Sequence, residues 1–135
     1  VILMLGSNDM KKVFKQNEEM IGKHIRELIL TIKRVSADKD PKGKECNILL
    51  VSPIHISEAA VTGPFREEFD AGSVKLSQKL APVYRQIAKE EKIYYLDASK
   101  CAAPGELDGL HLNQAGHKSL SEAMAVKVWE ILGEN

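Results

Sequence analysis

Three short apolar runs, residues 1–5, 47–51 and 93–97, are separated by long segments whose apolar residues return every three to four positions. The first two are apolar in succession rather than alternating, so each reads as a buried strand, and the third, Ile93-Tyr94-Tyr95-Leu96-Asp97, reads as a further strand beside them. Parallel neighbours need a long crossover, and a helix is the usual one, so this alternation implies a parallel sheet with helices on both faces. The predicted order is β-α-β-(insert)-α-β-loop-α in one domain, residues 1–135.

The first helix begins at Asn17, an N-cap followed by Glu18 and Glu19 in the positive first turn. Met20, Ile21, His24, Ile25, Leu28, Ile29 and Ile32 then repeat at helical spacing. Asp40-Pro41 and Gly43 mark the turn into the second strand, which Ser52-Pro53 ends. Residues 54–73 keep no clean period. Phe65 and Phe69, four apart, suggest a short helix within an inserted flap or subunit contact.

Ser73 is the expected cap of the next helix, which uses Leu76, Leu80, Val83, Tyr84, Ile87 and Ala88. Pro82 then belongs near its first turn or kinks it. After the third strand, residues 98–112 form a loop with Pro104-Gly105 and Asp108-Gly109. Asn113 caps a last helix built on Leu120, Ala123, Met124, Val128 and Ile131, with Gly133 as its stop. The first strand is apolar on both faces and should have a neighbour on each side.

Composition narrows the function classes. Nineteen basic and nineteen acidic residues leave no net charge, and lysines are not interleaved with aromatics, so neither nucleic acid nor an anionic membrane is expected as a partner. A small neutral substrate suits this balance better. No apolar run approaches the roughly 20 residues that span a bilayer. Cys46 and Cys101 form no metal-ligand or disulfide pattern, which favours a reducing, cytoplasmic setting.

Two motifs carry chemistry. Gly6-Ser7-Asn8-Asp9 follows the first strand, where the Asn8 carboxamide can donate to a developing negative oxygen; the alternative is a plain polar turn. Asp108-Gly109-Leu110-His111 lies in the loop before the last helix. There a short reversal lets the carboxylate accept from the imidazole, leaving the other ring nitrogen as a base; the alternative is again a polar turn with a surface histidine. His24 and His117 read as structural, and His55, beyond the second strand, is unassigned. No spacing supports a metal site, and no cofactor is required.

Val-Ile-Leu-Met-Leu-Gly-Ser-Asn-Asp9 resembles the third conserved block of the SGNH, or GDSL, hydrolases, and Asp108-Gly-Leu-His-Leu-Asn-Gln-Ala-Gly-His117 resembles their fifth. The resemblance runs through Ser52-Pro53 and Lys79-Leu-Ala-Pro82 and is nearest to the arylesterase and acyltransferase branch. It implies a flavodoxin-like three-layer α/β/α sandwich, with His111 as general base, Asp108 orienting it and Asn8 in the oxyanion hole. It also implies a small-molecule ester as substrate.

The family's Gly-Asp-Ser block has no counterpart among these residues, so the chain is expected to be the C-terminal two thirds of such a domain. The nucleophilic serine, the second oxyanion donor and at least one strand would lie upstream, and the 135 residues alone would be inactive. A homo-oligomer or a complementing N-terminal segment is the expected partner. A truncated module acting in binding or assembly is the competing reading. A nucleotide-binding domain is less favoured, since no Gly-rich loop follows a strand here.

Overall fold

The strand β2 (Leu49–Ser52) is buried along its whole length, as a strand covered on both faces must be. The computed structural model describes residues 1–133. In it β1 (Ile2–Leu3) and β3 (Tyr94–Asp97) flank β2, both parallel to it, in the order β1-β2-β3. Successive β2 side chains point to opposite faces. Leu50 joins one core with Ile21, Ile25 and Ile29 of α1 (Glu18–Lys39) and Leu80, Tyr84 and Ile87 of α3 (Ala71–Glu91). Leu49 and Val51 join a second core with Leu120 and Ile131 of α4 (Gln114–Gly133). The result is the α/β architecture expected, with two helices on one face and one on the other.

The helix starts follow local chemistry. Asn17 caps α1 by accepting from the Met20 amide at 2.8 Å, and Asn113 accepts from the Gly116 amide at 2.9 Å at the start of α4. Helix α3 departs from expectation. Asp70, not Ser73, is its cap, and Ser73 is the third helical residue of a capping box in which each side chain satisfies the other's backbone N–H. Pro82 therefore sits in mid-helix, where its ring faces solvent and water can satisfy the carbonyl that lacks an N–H partner.

Among the described residues β1 has one neighbour, and Val1 and Ile2 are 59% and 50% exposed on the side where the expected upstream strand would pair. Other expectations need correcting. On α1, Met20, His24 and Leu28 face solvent, and the buried face is Ile21, Gly22, Ile25 and Ile29. Gly22 is required there because a Cβ would lie 2.6 Å from Val83 of α3. Gly133 still belongs to α4, and the residues that follow lie outside those described. Among the described residues no helix is long and apolar enough to cross a membrane. Both cysteines are free.

Candidate active site

All three strands are parallel, so the segments leaving β1, β2 and β3 emerge at the same edge of the sheet. The segment after β3 opens with a 3-10 turn (Ala98–Lys100) and is pinched by a bridge between Pro104 and Leu112 and by a 2.7 Å bond from the Gly105 amide to the His111 carbonyl. Asp108 organises the tip. Its Oδ1 accepts from the Leu110 and His111 amides, each at 2.9 Å, while Oδ2 lies 2.8 Å from His111 Nδ1. The His111 amide, the Leu110 amide and the imidazole together hold the Asp108 carboxyl down to about 2. Asp108 is thus ionised and bound at both oxygens, and the imidazole is held through Nδ1 with Nε2 left over.

The insert after β2 is no detached flap. It contains a short helix, α2 (Ala59–Thr62), and an i,i+4 turn from Phe65 to Phe69, and Ile54, Ile56, Ala60 and Phe69 are buried. It supports the Asp108–His111 loop directly. The Ser57 amide donates to the Gly109 carbonyl at 2.9 Å, and the Phe65 ring lies 5.5 Å from the imidazole at a tilt of 60°. Gly109 has φ +66°, and a Cβ there would stand 2.5 Å from both the Ala60 nitrogen and Ser57 Oγ. Only glycine lets the loop seat so closely.

The segment after β1 is held from α3. Gly6, at φ +117°, turns the chain at a point where a Cβ would fall 2.3 Å from the Tyr84 hydroxyl, and that hydroxyl donates to the Leu5 carbonyl at 2.9 Å. Burial, with Asp9 nearby, pushes the Tyr84 hydroxyl well above the ordinary phenol range. Asn8 opens a 3-10 turn (Asn8–Met10) whose end is tied down by Ser73 Oγ donating to the Met10 carbonyl at 2.7 Å. Ser77, one turn along α3, accepts from the Ile56 amide at 3.0 Å and so ties the insert to the same helix.

Of the three residues singled out from sequence, Asp108 and His111 are brought into contact. Asn8 stands at the same sheet edge, exposed, and among the described residues no hydrogen bond joins it to that pair. His55 is half-buried, whereas His24 and His117 are exposed. The structural role expected of His117 is not seen, since its side chain is exposed and Asn113 caps α4. Ser52, Ser73 and Ser77 are fully enclosed and bonded within the fold, Ser52 to the Tyr95 hydroxyl at 2.9 Å. Gly109 was flagged only as half of a turn, and the supporting roles of Ser57, Phe65, Ser73, Ser77 and Tyr84 carry no local motif.

A family model for GDSL-like lipase/acylhydrolase matches residues 1–124. Solved structures agree. A carbohydrate acetylesterase family member from Sinorhizobium meliloti is 32% identical with a TM-score of 0.84, covering 98% of this chain and 61% of its own. The aryl esterase of M. smegmatis is 25% identical with a TM-score of 0.86, covering 96% and 60%. Est24, a carbohydrate acetylesterase from Sinorhizobium meliloti, gives 25% and 0.86, covering 97% and 60%. No curated protein matches the chain. The chain therefore spans about three fifths of the solved structures it resembles. Over that span both motif blocks, the parallel sheet and the match across residues 1–124 agree, and the chain belongs to the GDSL-like lipase/acylhydrolase family.

Proposed function

We propose that this chain supplies the general base and one oxyanion donor of a serine ester hydrolase, and that the serine comes from a segment outside the 135 residues. The observation that carries this is the Asp108–His111 pair, in which both carboxylate oxygens are committed and His111 Nδ1 lies 2.8 Å from Oδ2. A neutral imidazole that donates from Nδ1 to this carboxylate leaves Nε2 free to act as the base, which supports the reading.

In the proposed reaction His111 Nε2 takes the hydroxyl proton as the serine oxygen attacks the ester carbonyl carbon. Asn8 donates to the oxyanion, and Asp108 stabilises the imidazolium. Collapse breaks the ester C–O bond and returns the proton to the leaving alcohol. Water then hydrolyses the acyl-serine by the same route, or a second alcohol takes the acyl group. The similar structures are named for aryl and carbohydrate acetyl esters, which supports short acyl esters as the substrate class.

Steady-state hydrolysis of phenyl acetate by the hydrolase that carries this chain tests the reading. His111→Ala should lower kcat by at least about a thousandfold, since the serine then has no base. An unchanged kcat would end the proposal.

A second reading, an assembly module joined by strand addition, is favoured by the open β1 edge. Apolar clefts flank it on both faces, one lined by Val1, Ile2, Val128 and Ile131, the other by Val1, Ile32 and Val35. A serine-bearing strand would occupy the same edge. Sedimentation over a hundredfold range of concentration separates the two readings. Self-association of the isolated chain favours assembly, and a monomer that pairs with an upstream segment favours the hydrolase.

A further inference from the structure

The chain has no net charge, yet five lysines, Lys11, Lys12, Lys15, Lys75 and Lys79, line one cavity of about 320 Å³ beside the Asn8 turn. The carboxylates nearby do not balance them. Lys11 pairs with Glu68 and Lys79 with Glu18 at 3.0 Å. Asp70, also on the wall, is engaged in the α3 capping box. Among the described residues Lys12 Nζ donates only to the Arg66 carbonyl, at 3.5 Å, and Lys15 and Lys75 have no ion-pair partner. The first turns of α1 and α3, two helices of more than twenty residues, open on the same space and add partial positive charge.

A second feature is independent of charge. Gln16 Oε1 is enclosed, has no hydrogen-bond partner, and belongs to a side chain on the cavity wall. A buried acceptor left unpaired is unfavourable unless something donates to it. Ammonium groups that lack counter-charges call for an oxyanion, and the unpaired carboxamide oxygen calls for a hydroxyl. We propose that this cavity binds a small hydroxylated oxyanion, a hydroxycarboxylate or sugar phosphate, with its charge on Lys12, Lys15 and Lys75 and a hydroxyl donating to Gln16 Oε1.

The site is distinct from the Asp108–His111 pair and needs no serine, so the test does not depend on ester turnover. Citrate, tricarballylate, which is citrate without its hydroxyl, and glucose 6-phosphate are titrated into the 135-residue chain at low ionic strength by calorimetry. In parallel, amide shifts locate the site on the unmodified chain. The expected result is saturable one-to-one binding of citrate or glucose 6-phosphate that shifts the Lys15, Gln16, Gly72 and Ser73 amides and weakens as salt screens the charges. The tighter of the two assigns the carboxylate or phosphate source. The double variant Lys15→Gln/Lys75→Gln should bind roughly tenfold more weakly, and the distant control Lys42→Gln/Lys118→Gln should bind as the parent does.

Citrate should bind more tightly than tricarballylate, and Gln16→Leu should remove that preference. No saturable binding of either anion, shifts confined to other regions, or equal losses in the two lysine pairs would overturn the site. Equal affinity for citrate and tricarballylate would overturn the role of Gln16.

Discussion

Gly109 and Gly43 have nearly the same backbone, φ +66° and +68°, and opposite surroundings. Nothing lies within 4 Å of a Cβ built on Gly43, whereas one built on Gly109 meets the Ala60 nitrogen and Ser57 Oγ at 2.5 Å and Ala59 Cβ at 2.9 Å. Gly43→Ala therefore carries only the left-handed backbone penalty, about 1 kcal/mol. Gly109→Ala carries the same penalty plus overpacking against backbone, typically about 1–3 kcal/mol. Its total is about 2–4 kcal/mol if the loop stays seated.

If the loop lifts instead, the Ser57–Gly109 hydrogen bond, worth about 1 kcal/mol, is lost and the His111 ring leaves Phe65. Either route leaves Gly109→Ala at least about 1 kcal/mol below Gly43→Ala. Urea unfolding followed by far-UV circular dichroism measures the difference, since Trp129 is 80% exposed and reports little on the core. At an unchanged m value, 1 kcal/mol moves the midpoint by roughly 0.5 M. Equal midpoints for the two variants would refute the claim that the insert is the seat of the Asp108–His111 loop.

Asn8→Ala, in the hydrolase that carries this chain, should lower kcat on the order of a hundred- to a thousandfold with the fold intact; near-normal turnover of phenyl acetate would remove Asn8 from the oxyanion hole. The Asp108 carboxyl falls from 3.8 to about 2 on folding, so its stabilising contribution is present above pH 3.8 and is lost as pH falls through about 2. Asp108→Asn should flatten the acid limb of the stability curve in that window, and an unchanged limb in acid titrations by circular dichroism would contradict this. Tyr84→Phe removes the bond to the Leu5 carbonyl and should cost about 1 kcal/mol in urea unfolding; no loss would mean that the hydroxyl does not hold the Gly6 turn.

The alternation of strands and helices was legible because burial on two faces imposes its own pattern. Leu49, Leu50 and Val51 are all apolar since helices cover both sides of β2. Asn17 and Asn113 were legible as caps because capping is a contact within one turn. The start of α3 was missed because Ser73, a good cap by type, serves as the capping-box partner of Asp70 and reaches the Met10 carbonyl, a contact 63 residues away in sequence. The buried face of α1 was overestimated because Met20 and Leu28 are apolar by type, while the depth of α1 against α3 is set by Gly22.

The same divide holds at the site. Asp108 and His111 are three residues apart, and one tight turn brings them together. Ser57 and Phe65 meet that turn only through tertiary packing, which leaves no period or spacing in the chain. The lysine cavity was hidden by the overall charge balance, because its members come from two distant segments, 11–15 and 75–79, that the fold brings side by side.

The central claim is that His111 and Asp108 activate a serine outside these residues. Material purified with this chain is treated with a fluorophosphonate, and the denatured intact masses are recorded. The account predicts an adduct on a serine upstream of Val1 or on a separate polypeptide, formed far more slowly in His111→Ala. A label on a serine within the 135 residues, or labelling at the same rate without His111, would contradict it.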